Sequence, residues 1–158
     1  MAQIVGIGAV RYDIVRVSPE KATTFDWKEA LDFEKQGSPF IQYAHARACS
    51  IIKNAQDEGI AFENFDPNLL VEEQEVALIK KLSSFENVID KAARELKPNM
   101  VAIYARELAD AFNQFYRYVP VLSAETEYRA VRLALVDCSR IVLANALDTL
   151  GIAAPESM

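Results

Sequence analysis

The chain has little of what most chemistries need. Its 158 residues hold two cysteines and one histidine. Cys49 and Cys138 stand far apart, with no CxxC and no histidine-rich neighbourhood, so neither a disulfide scaffold nor a zinc knuckle fits. Each is expected to be a small buried hydrophobe in a reducing compartment. Five glycines and six prolines exclude collagen-like and low-complexity chains. No apolar run reaches the ~18 residues of a membrane span. The N-terminus shows no charged segment followed by an apolar one, so no secretory signal is expected and the cytoplasm is the expected location. Positive charge is also scarce: 17 Lys and Arg face 23 Asp and Glu, a net charge of −6. Nonspecific nucleic-acid binding neutralises many phosphates, so neither that mode nor a DNA partner is expected. A local basic or aromatic patch on an acidic body stays open.

What is present is a core. Hydrophobic residues make up 51% and charged residues 25%, which is globular composition. The length suggests one domain, or one with a short appendage.

The periodicity is helical almost throughout. Ile4, Ile7, Val10, Ile14 and Val15 recur at helical spacing until Ser18-Pro19, with Gly6 and Gly8 weakening the segment. It has no cap before it, which suggests the tail of a larger domain. Residues 17–25 read as linker. Asp26 is an N-cap for a short helix through Trp27, Ala30, Leu31 and Phe33, with Glu29 at the capping-box position and Gly37 as its stop. Ser38-Pro39 starts a helix, hydroxyl cap then Pro at N1, that runs to about Glu58, with Gly59 at C′. After an acidic loop over 60–71, helices are predicted over 72–84, 86–96 and 98–118. A last helix runs from the N-cap Ser123 to Gly151, with Val131, Leu135, Val142, Ala146 and Leu150 on one stripe. No stretch alternates with period two, and no repeat is visible. The expected fold is all-α, a helix bundle with an N-terminal helical appendage.

The helix faces nominate residues without settling them. On the 38–58 helix, Gln42, Ser50, Lys53 and Asp57 form a polar face, and Ala44, Ala48, Ile51 and Ile52 an apolar arc. Tyr43 and Arg47 lie between, where ring and guanidinium can stack and offer flat faces to a nucleobase. An amphipathic boundary with a snorkelling arginine is the commoner meaning of that spacing. On the 98–118 helix, Tyr104, Phe112, Phe115 and Tyr116 form an aromatic arc around Leu108, with Asn113 and Tyr116 at one edge. Arg132 projects into the apolar stripe of the last helix and needs a partner. Arg129 and Arg140 share its flank, a candidate phosphate-facing edge or simply a solvated one. His45 has no ligand-spaced companions for a metal, no Ser/His/Asp set can be built around it, and no phosphate-loop motif occurs. The cluster from Glu72 to Glu75 reads as a negative first helical turn. A binding module is what these residues support.

Four stretches, in order along nearly the whole chain, resemble the C-terminal part of the arginyl-tRNA synthetases, a class I aminoacyl-tRNA synthetase family. They are Val5–Tyr12; Phe25-Asp26-Trp27 running to the Gln42-Tyr43-Ala44-His45-Ala46-Arg47 run; Phe112–Tyr116 with Pro120-Val121-Leu122; and Arg132–Val136 through to Pro155-Glu156-Ser157-Met158. The resemblance implies an anticodon-binding domain of the DALR type, for which Arg129-Ala130-Val131-Arg132 keeps only the Ala and Arg. It implies binding of the anticodon loop of tRNA-Arg, with the arginine-activating, ATP-using catalytic domain upstream. No cofactor is then expected in this chain, and it is expected to bind without catalysing. The implied division is 1–24 as the end of the catalytic half and linker, expected to be the most mobile part for want of its packing partner, and 25–158 as the binding domain.

Tyr43, Arg47, Tyr116 and Met158 match family positions near the anticodon loop. Phe40 stands where the family often has Tyr, and Ser157 where it usually has Arg. The implied mechanism stacks splayed bases on Tyr43 and Tyr116, with Arg47 on a phosphate or base edge and Asn113 hydrogen-bonding a base. A helical protein–protein interaction module is the alternative that the acidic surface allows, and a free-standing RNA-binding protein is a third.

Overall fold

The computed structural model describes residues 1–22, 24–30 and 37–158, except for the side chain of residue 29. Its helices are α1 (Ala2–Val15), α2 (Trp27–Ala30), α3 (Ser38–Asp57), α4 (Glu73–Ser83), α5 (Phe85–Glu95), α6 (Asn99–Tyr118) and α7 (Thr126–Thr149), with a 3₁₀ turn at Pro67–Leu69. No strand occurs among the described residues, so the expected all-α bundle is what forms. No helix there is long and apolar enough to cross a membrane.

Local chemistry explains the boundaries. Asp26 accepts the Lys28 amide at 2.8 Å, as an N-cap should; Leu31 and Phe33, expected in the same helix, and the side chain of Glu29 lie outside the described residues. Glu72 and Glu75 close a capping box on α4. Gly59 and Gly151 take the left-handed conformation, φ +68° and +66°, that ends α3 and α7. Two starts differ from expectation. Gly37, and not Ser38, is the cap of α3, and the Ser38 hydroxyl donates to Gln42 Oε1 one turn on. Helix α7 begins at Thr126, with Glu125 as cap, because residues 121–124 form a turn in which the Ala124 amide bonds the Val121 carbonyl.

Helix α6 is central, touching α1, α3, α4, α5 and α7, while α3 packs most extensively on α7. These three, α3, α6 and α7, supply Ile41, Leu108, Phe112, Phe115, Leu133, Leu143 and Leu147 to the buried core, where each side chain of this size contributes about 1.5–3 kcal/mol relative to exposure. The stripe expected on α7 faces inward. Arg132 finds its acid in Glu75 of α4, at 2.7 Å with both side chains buried, and also donates to the Pro120 carbonyl at 3.0 Å. Glu75 belongs to the acidic first turn of α4, as expected, and is also the interior counter-ion of Arg132.

Helix α1 buries Gly8, Ala9, Tyr12 and Asp13 against the bundle, with the Tyr12 hydroxyl directed at the Ala102 carbonyl. It has a packing partner on that face. The regular apolar ridge that the sequence shows, Ile4, Ile7, Val10 and Ile14, faces out. Three side chains bind the C-terminal tail: Arg11 donates to the Gly151 carbonyl, Gln42 to Ala153 at 2.9 Å and His45 Nδ1 to Pro155 at 2.9 Å. This corrects one expectation. Gln42 is fully buried rather than on the polar face, and His45 is buried too, because the tail covers both. The cysteines differ too. Cys49 is half-buried and Cys138 is exposed, since the latter lies on the outer side of α7.

Candidate functional site

The C-terminal half of α6 and the N-terminal half of α3 meet at the surface, and the extended segment after α6 runs past them. The gap between is an open cleft of about 940 Å³, lined by Phe40, Tyr43, Arg47, Asn113 and Tyr116 among others, with residues 119–123 as its far wall. The i, i+4 spacing on α3 puts Tyr43 and Arg47 on one ridge, and Asn113 and Tyr116 share a ridge on α6.

Arg47 organises the group. Its guanidinium carbon lies 4.7 Å from the Tyr43 ring centroid and 5.2 Å from that of Tyr116. Its Nη1 donates to Asn113 Oδ1 at 2.7 Å. Two aromatic contacts and one hydrogen bond hold the cation half-buried, while both rings remain 43% exposed. Such contacts are worth roughly 0.5–2 kcal/mol each depending on desolvation, so the group is a built, pre-organised surface. Phe40 is half-buried beside it and packs on the core.

The other nominated residues are elsewhere. Arg129 lines a second concavity by the start of α7, where its Nε and Nη2 donate to the Ala124 carbonyl at 3.1 and 2.9 Å. Arg140 is paired with Asp137 at 2.8 Å. Met158 is exposed at the end of the tail that Gln42 and His45 hold. Of the eight, five share the cleft and these three do not. Asp110, Gln114 and Arg117 also line it, and no expectation named them. Asp110 and Arg117 sit one turn either side of Asn113 on its ridge and Gln114 is its neighbour in the chain, which is the signal that would have found them. Among the described residues, no group of His, Cys, Asp and Glu could hold a metal ion.

The sequence profile of the DALR anticodon binding domain matches residues 41–158. The arginine–tRNA ligase of Methanosarcina barkeri is 71% identical over 100% of this chain and 28% of its own length. That of Methanothrix thermoacetophila is 63% identical over 98% of this chain and 27% of its own. The arginyl-tRNA synthetase of Thermus thermophilus superposes with a TM-score of 0.91 at 37% identity, over 99% of this chain and 27% of that one. The chain thus spans between a quarter and a third of the length of these relatives. It belongs to the arginine–tRNA ligase family, of which it carries the DALR anticodon binding domain.

Proposed function

We propose that the Tyr43–Arg47–Tyr116 cleft holds the single-stranded anticodon loop of tRNA-Arg, and that this chain is the loop-gripping part of a ligase joining arginine to that tRNA with ATP. The observation that carries the reading is the guanidinium held between two exposed rings at the lip of a cleft. Single-stranded RNA is gripped by aromatic and guanidinium planes and read along base edges. The geometry alters the expected mechanism in one respect. Arg47 occupies the inner faces of both tyrosines, so bases stack on their outer faces, and the cation lies between the stacks, within reach of a bridging phosphate. Arginine activation belongs to the portion of the relatives that this chain does not span. The outward ridge Ile4, Ile7, Val10 and Ile14 is the surface on which that portion would pack, since a contiguous exposed apolar patch on a helix marks an interface. Arg129, Arg140 and Met158 would act only on parts of the tRNA outside the cleft.

The test is Tyr116→Ala, read by fluorescence anisotropy with labelled tRNA-Arg. One stacked base is worth roughly 1–3 kcal/mol, so affinity should fall at least fivefold or so, and the affinity of the parent chain should weaken steeply with salt. Unchanged affinity removes Tyr116 from the site. A chain that ignores tRNA at every salt concentration is a protein-interaction module instead.

A further inference from the structure

We infer that Arg129 is a positioning residue for the cleft: together with Arg132 it pins the segment that forms the far wall, and it serves tRNA through that wall and not as a phosphate ligand. The inference rests on the reading of the cleft as a loop-binding site and adds how one side of it is held in shape from behind.

The wall lies between α6 and α7. Residues 119–123 line the cleft, and the stretch belongs to neither helix, so its carbonyls lack the regular partners that a helix supplies. Arginines of α7 take the carbonyl at each end of it. Arg132 Nη1 donates to Pro120 at 3.0 Å, and Arg129 Nε and Nη2 both donate to Ala124, at 3.1 and 2.9 Å. The i, i+3 spacing of the two arginines lets one helix face reach both ends. Between the pins Val121 is buried, and its carbonyl accepts the Ala124 amide at 3.3 Å.

The two pins differ in what their loss disturbs. Arg132 is buried with its counter-ion Glu75, so removing it upsets the interior. Arg129 is half-buried and lines a separate concavity of about 690 Å³. Water can take the place its guanidinium leaves, so the fold should survive while the wall loses its fixed position.

A cation outside the cleft can serve an RNA by meeting its backbone or by shaping the protein. The surroundings of Arg129 favour the second. Asp66, Glu125 and Glu127 line the same concavity, and carboxylates gathered around one guanidinium repel a phosphate. Its Nε and Nη2 are moreover spent on one backbone carbonyl, a contact that fixes the course of the chain.

The experiment measures tRNA-Arg binding to the 158-residue chain, to Arg129→Met and to Arg129→Lys over a range of salt concentrations, with amide hydrogen exchange followed by NMR. Arg129→Met should melt as a folded protein and bind roughly three- to tenfold less tightly, the scale of one hydrogen bond. Its slope of log Kd against log salt should stay that of the parent, whereas a lost phosphate contact flattens the slope by about 0.7. Arg129→Lys keeps the charge but not the fork, and should recover only part of the loss. The Ala124 amide should exchange faster in both variants, and the amides inside α3 should not. A flattened slope, a lysine that restores the parent affinity, or an affinity or Ala124 exchange rate unchanged from the parent overturns the inference and leaves the loop-binding reading standing. If Arg129→Met does not fold, the lysine variant decides by its affinity and its Ala124 exchange. A parent chain that ignores tRNA-Arg at every salt concentration overturns both.

Discussion

The buried pair of Glu75 and Arg132 is the place where one substitution should cost most. Glu75 is 0% exposed and Arg132 8%. Their charged atoms lie 2.7 Å apart, and Arg132 also donates to Pro120 and lies 5.2 Å from the Tyr128 ring. Glu75→Gln keeps the shape and an accepting oxygen but removes the charge. It leaves a guanidinium in the interior without its counter-ion. Breaking a buried pair from one side costs ~3–5 kcal/mol, and the retained acceptor puts this variant near the lower figure. For a chain of this size, 1 kcal/mol moves Tm by roughly 2–4 °C, so a fall of about 6–12 °C is expected by calorimetry. The double replacement Glu75→Leu with Arg132→Met should recover most of it, since the pair's attraction roughly offsets its desolvation. The position of Pro120 adds a second readout. It lines the far wall of the cleft, so the double variant should fold well and yet bind tRNA less tightly than the parent. A Glu75→Gln variant within about 1 kcal/mol of the parent would refute the reasoning, because the charge would then be finding water that the burial denies it.

Two further outcomes follow from the tail and from α1. Burial holds the His45 imidazole below its ordinary pKa, with the bond to Pro155 opposing that shift. The unfolded chain therefore takes a proton, as pH falls below about 6.5, that the folded chain refuses. Stability should fall with pH across that window. The difference between the parent and His45→Gln, from denaturant melts at pH ~8 and ~5, isolates this from carboxylate titration; an equal difference at both would show that His45 is not the group. In α1, a Cβ on Gly8 would lie 2.7 Å from Ser38 Oγ and 3.2 Å from Gln42 Nε2, whereas one on Gly6 meets nothing within 4 Å. Gly6→Ala should stabilise by up to ~1 kcal/mol through helix propensity. Gly8→Ala should destabilise by ~1–3 kcal/mol through overpacking, and thermal melts giving both the same sign would refute the placement of α1.

The architecture was legible because each local signal agreed with the global one. Periodicity of 3.6 and glycine after α3 and α7 both point to the helices that form. The errors share a cause. Gln42 reads as polar face, His45 and Glu75 carry no sequence signal of burial, and each of the three is buried by a partner distant in sequence: the tail for the first two, Arg132 for the third. Helical periodicity reports which side a residue is on, and says nothing of a strap laid over that side. On α1 the same limitation works in reverse. The apolar ridge that reads as core lies outside, and the small face with Gly8 and Ala9 packs inward, because close helix approach selects for size before hydrophobicity. The cleft was half legible. Tyr43 with Arg47 and Asn113 with Tyr116 are visible as ridges on two helices, but their meeting depends on how α3 packs on α6, which no spacing within either helix encodes.

The meeting shows how a chain of net charge −6 would serve a polyanion in the proposed role. What matters is which cations are already spoken for. Lys81 is paired with Glu107, Arg94 with Asp90, Arg140 with Asp137 and Arg132 with Glu75. Arg47 is held as firmly, yet among the described residues its partners are two rings and an amide, all uncharged. An ion pair positions a guanidinium by cancelling it. The two ring contacts position that of Arg47 and leave its charge uncancelled by an ion pair, so in the proposed role a phosphate entering the cleft would meet that charge, with the Asp110 carboxylate also on the lining. In that role the overall acidity would work as a filter: it would weaken long-range attraction for nucleic acid in general, and binding would fall to whatever can seat unstacked bases against Arg47.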